Sequence, residues 1–299
     1  FSADDADTTR ERAETFATKL SQQSVGTAWP VASNAADQAY VWTVRKAGLG
    51  LLANDPGERK SQAFIEDACV PTDKLAQYIE QVMEICQRHD VECGFYAHAS
   101  VGVIHSRPKL NMHDPADVQT MKDIAYEVFQ VVVEYGGSWS GEHGDGLVRG
   151  EFVPLFFGER IYESFRQIKG LFDPDGRMNP GKIVDSPSMT KNLRYSEAYQ
   201  PDPPTTAFHY RDHGGLVKAV EQCVGVGLCR KTGDGTMCPS YMATRDEEHS
   251  TRGRANALRL AISGQLGPDA VTGDRLHEVL DLCLACKACK SECPTSVDV

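Results

Sequence analysis

At 299 residues, 41% of them hydrophobic, the chain is long enough for roughly two domains with buried cores, and its net charge of -11 argues against a nucleic-acid partner. No apolar run approaches the ~20 residues that a bilayer-spanning helix needs, and no signal peptide opens the sequence. Of ten cysteines, three precede residue 100, none lies between residues 94 and 222, and seven fall between Cys223 and Cys293. Such crowding points to an intracellular protein with a metal module, not to a secreted disulfide framework.

In chain order, "FSADDADTTRERAETF" reads as the end of a strand entering a helix with an acidic first turn. The start at Phe1 and the stop at Val299 lead us to expect further sequence on both sides, including a preceding domain. "SQAFIEDACVP" is a β-branched and aromatic run ended by proline, hence a strand. "TDKLAQYIEQVMEICQRHD" has a Thr cap and places Leu75, Ile79, Val82 and Ile85 at helical spacing. "VECGFYAHASVGVIHSRP" reads as two short strands broken near Ser100 to Gly102. "DPADVQTMKDIAYEVFQVVVEYGG" reads as a long helix with Pro in its first turn and Gly at its stop. Residues 1–184 are therefore expected to form an α+β domain, helices covering a mostly antiparallel sheet. Residues 185–211 are polar, proline-bearing and aperiodic, a linker or arm. Residues 212–299 form a small helical domain, with short helices at "RANALRLAIS" and "DRLHEVLDLCLAC" between cysteine clusters.

Two motifs in the first domain carry chemistry. "YAHASVGVIHSRP" holds His98 and His105 seven residues apart. In one unbroken strand they would face opposite sides, but a break at Gly102 lets two strand ends aim both at one point. In "GGSWSGEHGDGLVRG", Glu142 and His143 are surrounded by Gly136, Gly137, Gly141, Gly144 and Gly146, which let the backbone approach a ligand closely. Two His and a Glu suit a divalent metal, zinc or similar, with open positions. A neighbouring His is a natural general base near neutral pH. Cys69, Cys86 and Cys93 fit small buried thiols.

In the second domain, "CLACKACKSECP" spaces Cys283, Cys286, Cys289 and Cys293 as C-x2-C-x2-C-x3-C-P, the bacterial ferredoxin run in which the fourth thiolate serves the other cluster. Upstream, "CVGVGLCRKTGDGTMCP" offers Cys223, Cys229 and Cys238, with Val226 where the template wants its second cysteine. The crossed bookkeeping gives one complete 4Fe-4S set, Cys238, Cys283, Cys286 and Cys289. The remainder, Cys223, Cys229 and Cys293, has three thiolates. A second centre there needs a non-cysteine ligand, is a three-iron cluster, or is absent.

"SGEHGDG", "LFDPDGRMNPGKIV" and the paired histidines together resemble the C-terminal half of FAD-linked D-2-hydroxy-acid dehydrogenases of the vanillyl-alcohol-oxidase type, the D-lactate, glycolate and D-2-hydroxyglutarate enzymes. "MCPSYMATRDEEHSTRGRANALRLAISG" and "CLACKACKSECP" resemble the large versions fused to a ferredoxin-type domain. The resemblance implies FAD, a 4Fe-4S cluster, and a divalent metal on His98, His105 and Glu142. It also implies His143 as base and Arg45 with Lys60 on the substrate carboxylate. Asn179, Pro180, Gly181 and Lys182 match the segment that closes over the flavin. Three departures stand out. Leu49 replaces a common hydroxyl-bearing residue, Ala99 to Val103 replace the acidic, glycine-rich centre of the usual G-H-x-G-D-G-N-x-H motif, and Arg107 stands where Asn is usual. A guanidinium binds carboxylates in two parallel hydrogen bonds, which makes a dicarboxylic substrate a candidate.

The expected reaction is oxidation of D-lactate or D-2-hydroxyglutarate to the 2-oxo acid, with electrons leaving through the cluster to a quinone or an electron-carrier protein. The expected location is cytoplasmic, free or peripheral to the inner membrane. The competing reading is a non-catalytic iron-sulfur electron-transfer module that docks a flavoprotein.

Overall fold

The computed structural model describes residues 1–54, 57–195 and 199–299, and for Leu49 and Leu51 the backbone alone. The chain divides into two units, Phe1–Leu51 and Leu52–Val299.

The first unit holds helix α1 (Ala6–Gln22) and most of α2 (Ala35–Ala53). Asp5 caps α1, its side chain accepting from the Thr8 N–H at 2.7 Å, which satisfies one of the open donors of the first turn. The expected strand before this helix does not form. Phe1 instead meets the Phe16 ring with centroids 5.5 Å apart and stays largely exposed.

In the second unit, four antiparallel strands centre on one. They are β1 (Lys60–Ser61), β2 (Ala68–Cys69), β3 (Cys93–His98) and β4 (Val103–Leu110), and β4 pairs with all the others. Helix α3 (Leu75–Arg88) lies between β2 and β3 in sequence, and α4 (Pro115–Glu134) follows β4. Tyr78, Val82 and Ile85 of α3 join Met121, Ile124, Val128 and Val132 of α4 around Ile104 and Ile65 in one buried core. Asp114 caps α4, accepting from the Ala116 N–H at 2.9 Å, and Pro115 occupies the first turn, where its missing N–H costs nothing. Helices α5 (Val153–Phe157) and α6 (Glu159–Phe172) follow, with Phe152 closing the core against Phe129 and Trp139. Of the three early cysteines Cys86 is buried, while Cys69 and Cys93 are partly exposed.

Residues 185–211 contain no helix or strand among those described. They are nonetheless docked, with Met189 and Tyr199 buried. The cysteine-rich remainder consists of short helices: α7 (Leu216–Glu221), α8 (Pro239–Thr244), α9 (Thr251–Ile262), α10 (Asp274–Asp281) and α11 (Ala288–Glu292). Its two small apolar cores include cysteines, Cys229, Cys238 and Cys289 beside Met237 and Tyr241 in one and Cys223 beside Val220, Ala255 and Val297 in the other. No helix among the described residues is long and apolar enough to cross a membrane.

The turn from β3 to β4 is the tightest point. Gly102 closes a short 3-10 turn over Ala99–Val101 with φ 74°, and its carbonyl accepts from the Val70 N–H at 3.0 Å. A Cβ there would lie 1.9 Å from the Val70 carbonyl oxygen. Gly136 also has positive φ, 65°, but its Cβ would meet nothing within 4 Å. Gly102→Ala should therefore cost about 2–4 kcal/mol in chemical denaturation and Gly136→Ala only about 1 kcal/mol. Equal losses would show that the close approach at Gly102 is not what constrains this turn.

Candidate functional site

The β3–β4 register accounts for the convergence of the two histidines. Tyr96 is paired with His105 and His98 with Val103. Cross-strand partners share a face, and His98 lies two residues beyond Tyr96, so His98 and His105 point to the same side despite their odd separation. Arg107, two residues beyond His105, shares that face. Ile104 points the other way, into the core.

The loop after α4 supplies the remaining donors. Glu142 Oε1 lies 3.3 Å from His98 Nε2, 3.2 Å from His105 Nε2 and 3.2 Å from His143 Nε2. Three imidazole nitrogens thus crowd one carboxylate oxygen. The rings of His105 and His143 stack at 5.4 Å, and Tyr96 backs His105 at 4.5 Å. His105 is 3% exposed, and burial holds its pKa below the usual imidazole range despite the pull of Glu142, so it stands neutral as a ligand must. His98, Glu142 and His143 are half-exposed, which leaves an open side for a small molecule.

This loop is held by Asp67, which is fully buried in the turn immediately before β2. Its carboxylate accepts from the Glu142 N–H at 2.7 Å, the His143 N–H at 2.9 Å and the Ser140 hydroxyl at 2.7 Å. Its carbonyl accepts from the Gly141 N–H at 2.7 Å. Arg149 approaches the carboxylate at 3.4 Å and also donates to the Gly144 carbonyl at 2.6 Å. Burial alone would raise the pKa of Asp67, but the His143 N–H, Ser140, the Glu142 N–H and Arg149 outweigh it and hold the group below the ordinary carboxylate range. Close approach is also why Gly141 has no side chain, since a Cβ would meet Val103 at 3.0 Å and the Asp67 carbonyl at 3.2 Å. Nothing in the periodicity marks Asp67 or Arg149. The one available signal is that Glu66 and Asp67 interrupt an otherwise apolar strand.

Glu66 links the cluster to Arg107. It forms an ion pair with the Arg107 guanidinium, and its Oε1 lies 3.7 Å from His143 Nδ1. Arg107 also donates to the Tyr96 hydroxyl at 2.8 Å, while its buried Nε has no hydrogen-bond partner. Lys60 donates to Gln222 Oε1 at 3.2 Å. Lys60 and Arg107 line a common cavity of about 360 Å³ together with Gln222, His113 and Arg194. The four-residue cluster is not part of that cavity's wall. Arg45 belongs to the first unit, and the side chain of Leu49 lies outside the described residues. Asn179 to Lys182 form an exposed turn after α6, in which Asn179 and Gly181 take positive φ. Asp173 anchors that turn, accepting from the Arg177 and Met178 N–H groups at 2.7 and 2.8 Å.

The cysteines separate into two cavities along the crossed pattern. Cys238, Cys283, Cys286 and Cys289 line one, and Cys223, Cys229 and Cys293 line the other. Four thiolates around one cavity fit a 4Fe-4S cluster. Arg254, 1% exposed, donates to Cys238 Sγ at 3.3 Å, the His249 carbonyl at 2.8 Å, the Ser240 hydroxyl at 2.9 Å and the Val279 carbonyl at 3.1 Å. Burial raises the Cys238 pKa, but Ser240, the Tyr241 N–H and Arg254 bring it below the usual thiol range, which favours the thiolate that iron requires. Arg254 sits in "STRGRAN" with no one-dimensional feature to distinguish it from its neighbour Arg252.

The geometry agrees with what comparison with known proteins shows. Residues 1–183 match the family described as FAD linked oxidases, C-terminal domain, and residues 219–297 match the 4Fe-4S dicluster domain. The chain is similar to D-2-hydroxyglutarate dehydrogenase of Escherichia coli (strain K12), 32% identical over all of this chain and 33% of that protein. It is 34% identical to D-2-hydroxyglutarate dehydrogenase of Haemophilus influenzae over 87% of this chain and 28% of that protein. It is 35% identical to D-lactate dehydrogenase of Archaeoglobus fulgidus over 43% of this chain and 28% of that protein. The chain spans about a third of the length of the curated relatives it matches. By the match over its first 183 residues and the cluster-binding segment behind them, the chain belongs to the FAD linked oxidase C-terminal domain family and carries a 4Fe-4S dicluster domain.

Proposed function

We propose that this chain is the substrate-side and electron-exit portion of an FAD-dependent D-2-hydroxy-acid dehydrogenase that converts D-2-hydroxyglutarate to the 2-oxo acid. The observation that carries the reading is the convergence of His98, His105 and His143 on Glu142, three nitrogens within 3.3 Å of one oxygen. The names of the relatives supply the substrate class. A non-catalytic docking module would leave that convergence unexplained.

His98, His105 and Glu142 are the residues that would hold a divalent ion, zinc or similar; their nitrogen and carboxylate donors, within 4.8 Å of one another, fit such an ion. When bound, the ion would supply Lewis acidity, FAD a hydride acceptor able to give up its electrons singly, and the iron-sulfur group a carrier for one electron at a time. His143 takes the substrate hydroxyl proton at Nε2, the nitrogen 3.2 Å from Glu142 Oε1, with Glu66 facing its other nitrogen. Arg45 and Lys60 bind the carboxylate next to the reacting carbon, an assignment that rests on the resemblance. Arg107 binds the distal carboxylate through its unpaired Nε, while Glu66 and Tyr96 both hold its Nη2. The turn over Asn179, Pro180, Gly181 and Lys182 would cover a bound flavin, an assignment that also rests on the resemblance. Cys238, Cys283, Cys286 and Cys289 would hold the 4Fe-4S cluster that passes electrons toward a quinone or an electron-carrier protein, in the cytoplasm or at the inner face of the membrane.

In the holoenzyme His143→Ala should lower kcat by about 10²–10⁴-fold while flavin and cluster absorbance are retained. Undiminished turnover would remove the assigned base. Arg107→Ala should lower kcat/KM for D-2-hydroxyglutarate about 10–100-fold and change that for D-lactate little, because lactate has no second carboxylate to lose contact with. Equal losses on the two acids would refute the dicarboxylate assignment. Chelation of the divalent ion should abolish turnover and readdition restore it, and Glu142→Ala should purify with less bound ion by elemental analysis. Full ion content in that variant would place the ion elsewhere.

A further inference from the structure

The segment matching a dicluster domain presents two cysteine cavities that are not equivalent. The second is lined by Cys223, Cys229 and Cys293, with Val226 at the ferredoxin-template corner and Thr251, Arg252 and Thr295 among the other walls. No carboxylate, imidazole or fourth thiol belongs to that lining. Val226 is apolar, 46% exposed, and flanked by Gly225 and Gly227, both at positive φ, so the loop can wrap closely while the side chain at its tip offers no electron pair. The three cysteines are nevertheless set as ligands. The Arg252 N–H donates to Cys229 Sγ at 3.3 Å, the Thr295 hydroxyl lies 3.4 Å from Cys293 Sγ, and the Cys223 carbonyl accepts from Arg194 at 2.5 Å. Buried Cys223 and Cys229 make no disulfide.

We infer that the Cys223, Cys229 and Cys293 cavity holds a three-iron cluster, a cubane lacking the corner that would face Val226. Each remaining iron takes one thiolate, and no protein atom need coordinate a fourth. Hydroxyls and main-chain amides are poor iron ligands beside thiolate, which leaves Thr251 and Thr295 as hydrogen-bonding groups only. The two sites then differ in composition within one domain: a four-thiolate site whose thiolate Cys238 is held by buried Arg254, and a three-thiolate site whose missing corner lies at the surface.

The test is iron analysis with electron paramagnetic resonance on anaerobically purified protein, before and after oxidation with ferricyanide. The proposal expects about seven irons per chain and, on oxidation, the near-isotropic signal of a three-iron cluster at about one spin per chain, a 4Fe-4S site being silent in that state. Val226→Cys should raise iron to about eight per chain and abolish the signal. Wild-type protein shows the result even if that variant does not fold. About four irons with no oxidised-state signal would mean an empty site, and zinc at one per chain would mean a different metal; either result overturns the inference. So does uptake of ferrous iron by reduced wild-type protein to about eight per chain with loss of the signal, since the resident species would then be a four-iron cluster with an open corner.

Discussion

The site depends on one buried carboxylate. Asp67 is shut away from water, and its two oxygens serve the main-chain N–H groups of Glu142 and His143, the Ser140 hydroxyl and the Arg149 guanidinium. A buried charge is tolerated only when paired and hydrogen-bonded, so the turn before β2 that bears Asp67 and the glycine-rich loop that satisfies it must be in contact whenever this part of the chain is folded. That contact presses residues 140–144 against the β3–β4 hairpin. The hairpin register does the rest, turning His98 and His105 to the face on which Glu142 arrives. The first domain thus ties its stability to the arrangement of its donors, and Glu66, adjacent to Asp67, carries the arrangement on to Arg107.

The cysteine-rich segment works differently. Its helices are short, its apolar cores are small, and the largest fully buried side chain among the described residues is an arginine, Arg254. Cysteine sulfurs occupy places that aliphatic side chains would fill elsewhere, so iron-sulfur groups would join α8, α9 and α11 in the way that a core normally does. Contacts from the oxidase portion reach this segment. Lys60 meets Gln222, Arg194 meets the Cys223 carbonyl, and the aromatic rings of His113, Tyr195 and Tyr199 cluster with centroids 4.3–5.4 Å apart beside Glu221, His113 stacked on Tyr195. The arm over residues 185–211 makes part of that connection through Arg194 and Tyr199.

Legibility in the sequence followed the range of the interaction. Helix α3 is written in its apolar spacing and α4 in its spacing and first-turn proline, but the Thr cap expected for α3 does not form, because Thr72 opens a 3-10 turn and Lys74 precedes the helix without a side-chain cap. The crossed cysteine pattern is written in a spacing that a cubane imposes on a short stretch of backbone. The histidine pair was readable because Gly102 marks the turn. The strand expected before α1 failed because extended-looking residues had no partner strand, and Phe1 had Phe16. Helix α2 gave little signal, its apolar residues being spread around the helix. Asp67, Arg149 and Arg254 were invisible for a common reason. Each owes its burial to partners dozens of residues away or to carbonyls exposed by a turn, and no local pattern encodes either. The buried Met189 and Tyr199 in an aperiodic arm are of the same kind.

The central claim is that the loop held by Asp67 completes a cation site with the hairpin histidines. Crystals of the protein equilibrated with zinc and measured on both sides of the zinc absorption edge test it directly. The account predicts an anomalous peak bounded by His98 Nε2, His105 Nε2 and Glu142 Oε1, with His143 beside it. A peak confined to the cysteine cavities, or no peak at the histidines in the presence of zinc, would contradict it.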